Sequence, residues 1–133
     1  MCMTATPPYE YRAATLAELA GWLANGDPSE HWRMIAEFLE EYRHEPAETR
    51  FGLLAGEPRT SGDERWDVFL AALAEHLAAR DGRGAPEWAA GRWLPVFWFP
   101  FNTPAARVDA FVHAPAAFRR RGVFIAPQNL EVA

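Results

Sequence analysis

Apolar residues recur at three- and four-residue steps through most of this chain, the spacing of amphipathic helices. Thr15 and Glu18 stand at capping-box spacing, and Leu16, Leu19, Ala20 and Leu23 then line one helical face until Asn25-Gly26 stops it. Asp27 and Pro28 restart a helix as N-cap and first residue. Trp32, Ile35, Phe38, Leu39 and Tyr42 give this second helix a broad apolar stripe, opposed by an acidic face of Glu30, Glu37, Glu40 and Glu41. Pro46 opens a third helix carrying Phe51 and Leu54, and the stretch from Gly56 to Gly62 reads as a loop. The clearest pattern follows Asp63, where Trp66, Phe69, Leu70, Leu73 and Leu77 repeat. Asp63 and Glu64 at its start and Arg80 near its end suit the helix dipole, and Gly82 and Gly84 close it. Pro86 to Ala90 predicts a single turn. Asn102 or Thr103 caps a further helix with Pro104 first, expected to bury Val108, Phe111 and Val112, and Pro115 opens a short helix through Arg121.

One segment breaks the helical pattern. Trp93 to Phe101 holds five aromatics in nine positions, bracketed by Pro95 and Pro100, with Trp88 just upstream. The prolines forbid an uninterrupted helix there. So much apolar area on irregular backbone must be covered by the chain's own helices or by a partner. Val123 to Ile125 is the best strand candidate and would pair with 96–99. The fold class expected is mainly α: a compact single-domain bundle of about five to seven short helices, with at most a minor short β element near 96–99 and 123–125. Residues 1–13, with Pro7-Pro8 and no periodicity, read as a flexible arm, and 14–133 as the helical domain.

Half of the residues are hydrophobic, which excludes a disordered chain. The net charge of −5 argues against general affinity for phosphate backbones. All thirteen basic residues are arginine, which with the abundant alanine suggests GC-rich coding of the actinobacterial kind. Arginine also makes bidentate carboxylate contacts and stacks on aromatics, both useful at interfaces. Cys2 is the single cysteine, so an internal disulfide or a cysteine-rich zinc site is excluded. Without a signal peptide or a bilayer-length apolar run, a cytoplasmic protein is expected.

Catalytic signatures are missing from the pattern. His31, His44, His76 and His113 have no metal-ligand spacing and read as surface or boundary residues. The carboxylate pairs Asp63-Glu64, Asp63-Asp67 and Glu40-Glu41 lie at a helix start or on a solvated face, unlike a catalytic pair in unequal environments. Ser29 and Ser61 sit where capping or a turn explains them. Arg119-Arg120-Arg121 is the one basic run; it reads as a charged helix end or as a contact for a protein or nucleic acid. The first two helices suggest a helix-turn-helix, but the would-be recognition helix is acidic and phosphates would repel it.

Several stretches carry a resemblance: Gly62-Asp63, Arg65-Trp66-Asp67, Leu73 to Ala78, Pro86 with Trp88, Trp98-Phe99, Ala114-Pro115, Phe118 to Ile125, and Leu130. Across about half of the chain they resemble the C-terminal region of small actinobacterial antitoxin-like or phage-repressor-type regulators, including short helical proteins encoded beside nucleotidyltransferase-like toxins. The N-terminal half departs from the regulator type, having no convincing DNA-reading helix. The resemblance implies a non-enzymatic module, without cofactor or metal, that binds and neutralises a cognate toxin by occlusion; the alternative is a regulator or co-repressor acting as a dimer. The partner-binding side chains expected are Trp88, Trp93, Phe97, Phe101, Arg119 and Arg120. Trp98 and Phe99, within the shared motif, are expected in the core, and Phe97 and Phe101 to face away.

Overall fold

The computed structural model describes residues 12–131. Among them six helices follow in order: α1 (Leu16–Asn25), α2 (His31–Arg43), α3 (Ala47–Ala55), α4 (Glu64–Arg80), α5 (Pro104–His113) and α6 (Ala116–Arg119). Single 3-10 turns lie at Pro28–Glu30, Glu87–Ala89 and Pro127–Leu130. The protein is a mainly helical bundle, and no strand is present among the described residues beyond one isolated bridge. The expected N-terminal arm lies mostly outside those residues; of it, Arg12 pairs with Glu18 and Ala13 is buried.

Local signals set the helix starts. Thr15 and Glu18 form the reciprocal capping box on α1, Asp63 caps α4 through the Arg65 amide, and Thr103 caps α5 through the Ala106 amide. Asp67 accepts from Thr60 and Ser61, fixing the loop before α4, and Ser29 completes the cap at Asp27. The carboxylates and hydroxyls noted in the sequence thus hold local structure.

Helix α4 is the centre of the bundle, with α1, α3 and α6 packed on it and α2 packed on α1. Every residue from Val68 to Ala74 is buried. The sequence pattern marks one stripe, but Ala71, Ala72 and Ala74 complete the circuit, and a helix apolar all round belongs inside. His31 corrects the expectation of a surface or boundary residue. It is buried at the start of α2, where Nε2 lies 3.0 Å from the Leu23 carbonyl oxygen and the ring stands edge-on to Trp66 at 5.1 Å. A satisfied polar tip makes burial of the ring tolerable.

The aromatic segment is irregular, as its prolines require, and is strapped to the chain after α6. The amides of Leu94 and Trp98 donate to Arg121 and Gly122 at 2.9 and 2.8 Å, and the Phe124 amide donates to Trp98 at 2.9 Å. The expected β element is therefore one parallel bridge, Trp98 to Val123. Gly122 sits there with φ 82°, and a Cβ would stand 3.3 Å from the Leu94 carbonyl oxygen, so glycine is needed on both counts.

Candidate functional site

Helix α5 carries two apolar faces. Ala110 lies on one; Val108, Phe111 and Val112, at helical neighbour spacing, lie on the other. The sequence reading assigns the larger face to the core. The structure reverses this: Ala110 and Ala114 pack on Phe124, while Val108, Phe111 and Val112 are 66%, 56% and 58% exposed. The physical reason is Phe124, held by its amide on the Trp98 carbonyl. A large ring already in place leaves room for small side chains opposite, so α5 approaches on alanine. Two apolar faces on one helix were the sequence signal of this surface.

Phe124 gathers a cluster around itself. Phe97, Phe99 and Phe111 stand 5.0, 5.1 and 5.7 Å from its ring, the last two stacked. Phe97 is 63% exposed and Val96 is also exposed. Phe97 and Phe111 both pack on the buried Phe124 ring, which links the segment before α5 to the outer face of α5. Large apolar side chains left exposed together on one helix face mark interaction sites in folded proteins.

Two guanidiniums border it. Arg107 lies 4.4 Å from the Phe99 ring centre and donates to Asn102 Oδ1 at 2.5 Å. Arg119 lies 5.5 Å from the Phe124 ring centre and donates to the Phe111 and Val112 carbonyls at 2.7 and 3.2 Å, satisfying the end of α5. Neither makes a salt bridge among the described residues, whereas most other arginines do. An open groove of about 800 Å³ continues beside Phe97 and Trp98, with Arg65 over the Trp98 ring at 5.1 Å and no carboxylate in its lining.

The six expected partner-binding residues do not converge. Phe97 and Arg119 belong to this surface. Trp93 is exposed beside a different groove, with Pro58, Thr60 and Val68. Trp88 is packed against the core, its Nε1 donating to Leu54 at 2.9 Å. Phe101 does not face away; it lies against Trp32, ring centres 4.7 Å apart. Trp98 and Phe99, expected in the core, are half-buried: Trp98 packs against the main core and Phe99 against the smaller Phe124 cluster, and both also line the open groove. The arginine run is taken apart: Arg120 and Arg121 both bind Glu75, and Arg121 is buried, donating also to Ala117 and Ala89. Apolar character alone sends Val108, Phe111 and Val112 to the core, so on that criterion this surface, with Arg107 at its edge, is left unmarked.

A second feature is a cavity of about 290 Å³ lined by Leu39, Tyr42, Arg50, Leu77, Asp81 and Leu130. Arg50 grips Asp81 with Nε at 3.0 Å and Nη2 at 2.6 Å, holding its carboxyl below the ordinary range. Burial, with the Asp81 charge, pushes the Tyr42 phenol up to about 12. A phenol that holds its proton and a carboxylate already gripped by arginine form a closed structural pair. Among the described residues no group of three or more histidine, cysteine or acidic side chains is placed to hold a metal ion, and no helix is long and apolar enough to cross a membrane. No protein-family model, curated protein or solved structure matches the chain.

Proposed function

We propose that the protein is a non-enzymatic binding module, antitoxin-like, that neutralises a cognate nucleotidyltransferase-like toxin by occlusion. The observation that supports this is the outward stripe of α5, Val108, Phe111 and Val112, joined to Phe97. Interface energetics concentrate on large aromatics and arginines, and this surface offers both. The acidic face of α2 is partly neutralised within the helix, because Arg33 bridges Glu30 and Glu37 and Arg43 binds Glu40. The test is co-expression with the product of the adjacent gene. Restored growth and co-purification are expected, with Phe97→Ala or Phe111→Ala weakening the complex by about 1–4 kcal/mol. Both side chains are more than half exposed and each keeps one ring contact with Phe124, so the melting temperature of the free protein should fall by only a few degrees. Equal loss of stability and affinity would identify them as core residues and defeat the reading.

The alternative, a regulator acting as a dimer, requires contact with DNA. The isolated protein is expected not to shift duplex DNA or RNA at physiological salt. Its charge is negative and its arginine run is dispersed, leaving too few cations for strong counterion release. A gel shift at submicromolar protein would promote the regulator.

A further inference from the structure

Resting on that binding-module reading, we infer that the α5 surface receives an apolar segment flanked by carboxylates, supplied by a different protein. The apolar part of the argument is the Val108, Phe111 and Val112 stripe with Phe97 beside it. The charge part is independent. In a chain of net charge −5, this surface is edged by Arg107 and Arg119, both without a salt bridge among the described residues. Each guanidinium is held over a ring, Arg107 on Phe99 and Arg119 on Phe124, so its position is set before a partner arrives. The nearest acid on the helix, Asp109, is engaged by the Gln128 amide at 2.5 Å and lies 4.0 Å from His113. A cation pair with little ordering left to do favours bidentate capture of carboxylates.

A second copy of this chain fits less well. A two-fold interface is self-complementary, and centring it on α5 would bring four such arginines together with no unengaged acid on the stripe. One-sign surfaces repel their own copies and select partners of the opposite sign.

The probes are three fluorescein-labelled synthetic helical peptides sharing one leucine stripe, with flanking positions all glutamate, all glutamine or all arginine. Fluorescence anisotropy at low salt should rank them in that order, with the glutamate peptide about tenfold tighter than the glutamine peptide. Arg107→Glu should remove the advantage of the glutamate peptide over the glutamine peptide. Phe111→Asp should abolish binding of all three. Arg119→Glu is a weaker probe because Arg119 also closes the end of α5, so a thermal melt accompanies it. Equal affinity for the three peptides, or no binding of any, overturns the inference. So does a dimer in sedimentation that Phe111→Asp dissolves, which gives the face to a second copy. Binding of single-stranded RNA or phosphatidylglycerol vesicles that Arg107→Glu removes overturns it equally. If the toxin complex tolerates Arg107→Glu but is lost in Phe111→Asp, the charge inference fails and the binding-module reading stands. If it tolerates Phe111→Asp as well, this face is not the module's binding surface.

Discussion

Leu73→Asp is expected to leave the protein without a cooperative thermal transition. Leu73 is fully buried in the middle of α4, where every neighbour from Val68 to Ala74 is buried too. No water reaches the site to solvate a carboxylate, and the shorter side chain opens a void. Loss of a buried leucine costs about 2–5 kcal/mol in cavity and transfer terms, and an unpaired polar group adds several more. That sum rivals the roughly 5–15 kcal/mol that holds a domain together. Leu73→Ala separates the two contributions: it should remain folded and melt lower by about 4 °C for each kcal/mol lost. Circular dichroism and calorimetry give the readout, and a cooperative melt of Leu73→Asp near the wild-type temperature would refute the central place of α4.

Glu75→Gln should destabilise the protein by about 3 kcal/mol at neutral pH, because it leaves the buried Arg121 guanidinium without its anion. Burial opposes ionisation of Glu75, but hydrogen bonds from Arg121 and Arg120 outweigh it and hold the carboxyl below its ordinary 4.5. A carboxyl depressed in the folded state binds fewer protons than in the unfolded chain. Its stabilisation is therefore complete above about pH 4.5 and fades as pH falls through the folded value. The gap between wild type and Glu75→Gln should begin to narrow below pH 4.5 and close as pH falls through the folded value, where the wild-type carboxyl also loses its charge. Denaturant titrations across pH measure this. A gap independent of pH would show that shape or hydrogen bonding at Glu75, and not charge, supports Arg121.

The sequence was most legible where structure is decided locally. Thr15 with Glu18, Asp63 and Thr103 start their helices because each cap uses groups within three residues. The spacing of Trp66, Phe69, Leu70, Leu73 and Leu77 marks a buried stripe, and all five are buried. Legibility failed where a distant neighbour makes the choice. Periodicity finds the apolar faces of α5 but cannot say which meets the core; Phe124, ten residues beyond the Ala114 that caps the helix, takes the alanine face and turns Phe111 out. Strand alternation places Phe101 on the outer side, yet the chain from Pro95 to Pro100 is not extended long enough for alternation to govern it, and Trp32 captures the ring. The three consecutive arginines look like one feature in the sequence. At the end of a short helix they point to three destinations, the end of α5, Glu75 and the interior.

The central claim, that the outer face of α5 and the adjoining Phe97 are the binding surface, is tested most directly by hydrogen exchange on the free protein and on its complex with the adjacent gene's product. The main-chain bonds of α5 are intact but solvated on the side of Val108, Phe111 and Val112, a state in which local opening is easy and a bound partner slows it. The account predicts that protection rises over 104–113 and 95–99 and stays unchanged along α2. Protection that rises along α2 or around Trp93, with 104–113 unaltered, would contradict it.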